Sequence, residues 1–146
     1  MKPIEVSVSI PASPEQVWAE VERIEDHPRW MTDAVGVDFH TERRRGVGTR
    51  ISVLTRLGPF RTTDEMVFTE WEPPHAMGVS HQGLFTGVGR FTLEPESGGR
   101  TRFAWAEEIR FPWYLGGRFG ALVARPFLAR VWRGNLKLLR ERLSGP

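Results

Sequence analysis

The sequence has no cysteine. Disulfide staples and thiolate chemistry are therefore excluded together. It has no apolar run long enough to cross a bilayer, and its N-terminus lacks the apolar stretch of a signal peptide. Cytoplasmic location is the expectation that follows. The four histidines, His27, His40, His75 and His81, do not show zinc-ligand spacing, and there is no H-E-x-x-H. A G-x-S-x-G nucleophile elbow is missing as well. No metal and no cofactor are expected.

Charge of one sign is also in short supply. The formal net charge is only +2, although the sequence pI is 9.6. Eighteen of the twenty basic residues are arginines, spread from Arg23 to Arg142 and interleaved with Glu and Asp. The one dense run, Arg43-Arg44-Arg45, falls where a solvated turn is expected. A nucleic-acid surface concentrates its basic residues into a stripe, so no nucleic-acid partner is expected. Repeats, linkers and low-complexity tracts are absent.

What remains is a chain of 146 residues, 40% hydrophobic and 26% charged. That is enough for one domain, 1–146, with a core that needs no staples. Ile4, Val6, Val8 and Ile10 alternate with Glu5, Ser7 and Ser9, the period of a half-buried strand. Ser13 then caps a helix with Pro14 at its first position and Gln16 placed to close a capping box. Val17, Trp18, Val21 and Ile24 form its apolar face, with Trp18 and Trp30 read as core. A second short helical piece is predicted from about Asp26 to Met31.

Strand-like segments follow, separated by Gly and Pro punctuation. Val35, Val37 and Phe39 precede the turn at 42–46. Ile51 and Val53 mark the next strand, then the segment from Phe60 to Trp71, ended by Pro73-Pro74. Met77 and Val79 mark another, and Phe91 and Leu93 one that should end at Pro95. Thr101, Phe103, Trp105, Glu107, Ile109 and Phe111 alternate through the last. Short connections make the sheet antiparallel.

The stretch from Pro112 to Leu143 reads as one long helix or two stacked pieces. Phe127, Leu128, Val131, Trp132, Leu136, Leu138, Leu139 and Leu143 share one arc, with Arg130, Arg133, Lys137, Arg140 and Glu141 opposite. Leu115, Phe119, Leu122 and Val123 share a different arc, and Pro126 between them predicts a kink or short break near Arg125. A curved sheet covered by a single helix on one face is an α+β arrangement in which a hollow can remain.

Several stretches resemble the START-like superfamily, also called SRPBCC, and its polyketide cyclase/dehydrase-like group. They are Val8 to Trp18, Arg29-Trp30, Gly46 to Arg50, Thr69 to Pro74, Gly89 to Pro95, Thr101 to Trp105 and Asn135 to Leu139. The resemblance covers nearly the whole chain. It implies the helix-grip fold, a seven-stranded curved antiparallel sheet around a long C-terminal helix with a deep cavity between them. Similar proteins bind lipids, sterols, hormones or polyketides, so the resemblance narrows function much less than fold.

Strand parity nominates the polar residues of that cavity. If Met66 and Phe68 face inward, so do Asp64 and Thr62; Met77 and Val79 carry His81; Phe103 and Trp105 carry Glu107. A buried carboxylate is costly without a partner, so Asp64, His81 and Glu107 are the candidate catalytic or ligand-orienting groups. Apolar walls are expected from Phe85, Phe91, Phe103, Trp105, Trp113, Phe119 and Leu122, with Asn135 inside the apolar arc of the last helix. The expected partner is a small hydrophobic molecule, bound by a monomer or homodimer. The alternative is an enzyme of the polyketide cyclase/dehydratase type, with His81 or an inward carboxylate transferring a proton. A third candidate is a partner-binding module that uses the Arg-rich outer face of the last helix.

Overall fold

A computed structural model describes residues 2–144; residues 1, 145 and 146 of the expected domain lie outside that range. Seven strands form one antiparallel sheet: β1 (Ile4–Ile10), β2 (Ala34–Phe39), β3 (Arg50–Leu57), β4 (Phe60–Glu72), β5 (Ala76–Gln82), β6 (Thr86–Glu96) and β7 (Arg100–Arg110). Their spatial order is β1-β7-β6-β5-β4-β3-β2. Consecutive strands from β3 to β7 are joined by turns of two or three residues and β2 joins β3 through a longer loop, residues 40–49, while β1 lies at the opposite edge and pairs with β7. The connection from β1 to β2 carries α1 (Pro14–Val21) and a 3₁₀ helix, Ile24–Arg29. The chain ends in α2 (Gly117–Leu143), entered through a 3₁₀ turn at Trp113–Leu115.

The local chemistry explains where elements begin. Ser13 accepts from the backbone N–H of Gln16, and the Gln16 side chain accepts from the N–H of Ser13. Two otherwise orphaned donors are thus satisfied. Between Trp113 and Gly117 the turn from strand to helix needs a left-handed residue, and Gly116 supplies it at φ 90°.

Two boundaries differ from the sequence reading. β6 does not stop at Pro95 but runs on to Glu96, with Pro95 opposite Thr101. The N–H of Leu93 points toward β5, where it donates to the carbonyl of His75. Pro95 has the same parity and lies beyond the end of β5, so its missing donor costs no ladder bond. The second short helix is 3₁₀ and spans Ile24–Arg29, earlier than Asp26–Met31, because Ile24 is drawn fully into the core.

Pro126 does not break the last helix, which is continuous from Gly117 to Leu143. Proline frees the carbonyl one turn back, that of Leu122, and both residues lie on the exposed side where water satisfies it.

The core sits at one end of the concave face. Trp30 is fully buried and packs edge-on against Phe103 and Trp105, with Phe91 beside it at 6.0 Å between ring centroids. Trp18 meets Trp71 at 5.4 Å. Each large side chain buried here contributes about 1.5–3 kcal/mol relative to exposure. α2 grips the β1–β7 side, where Trp132 stacks on Trp105 at 5.1 Å with the planes 22° apart. The 3₁₀ helix closes over β2. The middle of the sheet, β3 to β5, is left without a helix directly on it.

Candidate functional site

That uncovered middle forms a chamber of about 390 Å³ between the sheet and α2. Its walls are mostly apolar, with Val53 and Leu57 of β3, Met66 of β4, Phe111, and Leu128 and Trp132 of α2 among them. A smaller void of about 80 Å³ lies deeper, toward His27 and Phe91, and shares Met66 and Trp105 with the chamber.

Three ionisable side chains meet in the chamber wall. His81 Nδ1 lies 3.0 Å from Asp64 Oδ2, and His81 Nε2 lies 2.8 Å from Glu107 Oε2. The indole N–H of Trp105 donates to Glu107 Oε1 at 2.9 Å. Each strand delivers its member by register. Met66 pairs with His81, which brings Asp64 one inward step away on β4. Glu107 is two strands from His81 and has to reach across β6.

The crossing is possible because β6 carries glycine at both inward positions under the bridge. Gly87 pairs with His81, and Gly89 pairs with Glu107. A Cβ on Gly89 would stand 2.5 Å from Glu107 Oε1. At Gly87 it would lie 1.8 Å from the carbonyl oxygen of Glu108, at a φ of 128° that side chains rarely adopt.

Burial by itself lowers the pKa of His81, because water no longer solvates the cation. The hydrogen bonds to Asp64 and Glu107 and their two charges outweigh it and raise the pKa to about 10. The ring is therefore an imidazolium at neutral pH, both nitrogens donating. Glu107 has both oxygens engaged. Asp64 has one oxygen on His81, and its other oxygen, Oδ1, is buried without a protein partner. The carboxylates lie on opposite sides of the imidazole and do not converge on one point, and among the described residues no cluster fits a metal ion.

The structure brings Thr62, Asp64, Met66, His81, Phe85, Trp105 and Glu107 to the chamber wall. It places the other expected wall residues elsewhere. Phe91 borders the smaller void, and Phe103 is wholly buried among Trp30 and Phe91. Asn135 is fully buried but tied to the loop before β2: its Oδ1 accepts from Thr32 N–H and Oγ1, and its Nδ2 donates to Asp33 at 2.8 Å.

Trp113, Phe119 and Leu122 require a plain correction. They are 85%, 72% and 56% exposed and point away from the chamber. The first half of α2 turns its small residues inward, Ala121 toward the core and Ala124 toward the chamber, and its large ones outward. Amphipathic periodicity finds an apolar arc but does not say which side is covered. Val53, Thr55, Phe111, Ala124, Phe127 and Leu128 line the chamber as well, beyond the expected wall. For Val53 and Thr55 the parity of β3 carried a usable signal; for Ala124 nothing did.

Comparison with known proteins agrees with this architecture. A family model described as polyketide cyclase / dehydrase and lipid transport matches residues 1–144. An uncharacterised protein of Mycobacterium tuberculosis is 28% identical over 142 residues, which is 94% of this chain and 92% of that protein. Among solved structures, a START superfamily protein from Mycobacterium smegmatis superposes with a TM-score of 0.76 at 14% identity, covering 99% of this chain and 98% of its own. The protein XoxI from Bacillus cereus does so at 0.76 and 16% identity, covering 98% and 96%. At such identities the structures speak to fold alone. With a family match over nearly its whole length, the chain belongs to the polyketide cyclase / dehydrase and lipid transport family, with a START-like fold.

Proposed function

We propose that the protein binds one small, largely apolar molecule, a lipid, polyketide or aromatic metabolite, in the chamber between β3–β5 and α2. The observation that carries this reading is the chamber itself, about 390 Å³ of mostly apolar space, within the range of about 300–1,000 Å³ common for small-molecule sites. Apolar contact with Met66, Phe85, Trp105 and Leu128 supplies most of the affinity, at about 25 cal/mol per Å² of ligand surface removed from water. Thr62 and Asp64, side by side on the chamber wall, orient a ligand donor such as a hydroxyl.

The protonation of His81 favours binding over proton transfer. An imidazolium held between two carboxylates has no lone pair with which to take a proton from a ligand. Its pKa of about 10 also makes it a weak acid at neutral pH. The ion cluster acts as a fixed polar floor that locks β4, β5 and β7 in register.

Native mass spectrometry of the protein mixed with a set of small molecules, namely a flavonoid, a naphthol and a medium-chain fatty acid, tests the reading. One adduct per chain with at least one of them is expected. No adduct with any, at concentrations well above those that saturate family-sized pockets, overturns it.

A further inference from the structure

The large apolar residues that the chamber does not use are gathered on one outer surface. Trp113 and Tyr114 of the 3₁₀ turn and Phe119, Leu122, Val123 and Phe127 of α2 are all more than half exposed. On a helix, Phe119, Leu122, Val123 and Phe127 fall on one side. Exposed apolar surface of this extent and continuity marks a contact site.

Charge identifies the occupant. From Pro112 to Arg140 there is no acidic residue and there are six cations, Arg118, Arg125, Arg130, Arg133, Lys137 and Arg140. Arg125 is held by the backbone carbonyls of Lys2 and Pro3. The other five are exposed, and among the described residues none of them makes a salt bridge. Following the helix period, Arg130, Arg133, Lys137 and Arg140 continue the same outer face that Phe119 to Phe127 begin. The groove alongside holds Glu108, but with it Lys2, Arg110 and Arg118. The surface is thus apolar and aromatic at one end and cationic along the rest.

From this arrangement we infer that the outer face of α2 and its entry turn form a docking surface for an anionic lipid bilayer. Trp113, Tyr114, Phe119 and Leu122 enter the headgroup boundary, where amphipathic aromatic rings are favoured, and the Arg/Lys track meets the lipid phosphates. A second copy of the chain fits this face poorly. A two-fold interface centred on the apolar end pairs that end with its copy and leaves Arg130, Arg133, Lys137 and Arg140 without an acidic counterpart on this helix face, whereas an anionic bilayer engages both ends. No helix among the described residues is long and apolar enough to cross a membrane, so the contact is interfacial. Leu115, Ala124 and Phe127 also border the chamber, so docking sets its mouth against the lipid.

The test is co-flotation of the full chain with vesicles of phosphatidylcholine alone and of phosphatidylcholine with phosphatidylglycerol. Binding to the anionic vesicles is expected, with Trp113 emission shifted to the blue and with release at high salt. Arg130→Glu/Arg133→Glu should weaken it roughly tenfold or more, and Trp113→Ser/Phe119→Ser should remove the blue shift. All four sites are exposed, and circular dichroism verifies folding. No flotation overturns the proposal, as does equal binding to neutral vesicles or binding that neither double variant alters. Sedimentation showing a dimer that Trp113→Ser/Phe119→Ser dissociates overturns it in favour of a second copy. The flotation readouts do not depend on what the chamber holds, and comparison with Trp113→Ser/Phe119→Ser separates the Trp113 emission from that of Trp105 and Trp132, which line it.

Discussion

Gly89 faces Glu107 across the β6–β7 ladder, and the carboxylate occupies the space a side chain at 89 would fill. The glycine is what lets a residue of β7 reach a histidine of β5. Gly89→Ala therefore pushes Glu107 off His81 and off the Trp105 indole. The expected cost is about 1–3 kcal/mol, as for other overpacked sites. The more specific signature is in the histidine: with one carboxylate displaced, NMR titration should find the His81 pKa well below about 10. An unchanged titration would show that Glu107 does not depend on the gap.

His81 governs the alkaline limb of stability. Its folded-state pKa, about 10, lies above the ordinary 6.5. The folded state thus holds the proton more tightly than the unfolded chain does. The stabilisation is complete below pH 6.5 and is lost as pH rises toward 10. Urea unfolding across this window should show a decline that His81→Gln lacks. At neutral pH the same variant leaves the buried Glu107 and the half-buried Asp64 without their cation and should lose about 3–5 kcal/mol.

His27 governs the acid limb with the opposite sign. Burial lowers its pKa to about 4, against the hydrogen bond its Nε2 donates to the carbonyl of Val21 at 2.7 Å. Here the unfolded chain binds the proton more readily. The stabilisation is complete above pH 6.5 and is lost as pH falls through about 4. Unfolding measured in this lower window should flatten in His27→Phe, although that variant also loses the bond to Val21.

Asn135 is a fastener between α2 and the loop before β2. Asn135→Ala strands the N–H of Thr32 and a carboxylate oxygen of Asp33, and should cost at least about 1–3 kcal/mol in chemical denaturation. The affinity of the chamber for an apolar probe should stay the same, because the side chain points into the core and not into the hollow. A large loss of affinity with stability intact would return Asn135 to the binding wall.

Much of the architecture was legible because strands announce themselves by alternation. The parity that put Ile4, Met66, Met77 and Phe103 inside also put Asp64, His81 and Glu107 on the inner face, where they are found. Their contact with one another was not legible. It depends on the pairing of Met66 with His81 and on two glycines of β6, and register is a property of the sheet rather than of any one strand. The helix failed differently. Phe119 and Leu122 are as apolar as Leu136 and Leu139, and the pattern cannot tell a covered arc from an open one. They lie on opposite faces of one continuous helix: Ala121 shares the covered face with Leu136 and Leu139, while Phe119 and Leu122 share the open one with Arg130 and Arg133.

The most direct measurement is a fluorescence titration of the protein with N-phenyl-1-naphthylamine, alongside variants that fill the chamber from either wall, Ala124→Trp on α2 and Thr55→Phe on β3. Both residues line the hollow. Saturable uptake of one probe per chain is expected for the natural sequence, and a clear loss in whichever filled variant keeps its circular dichroism. Uptake that is unsaturable, or that persists unchanged when a folded variant fills the space, would contradict a ligand seated between the sheet and α2.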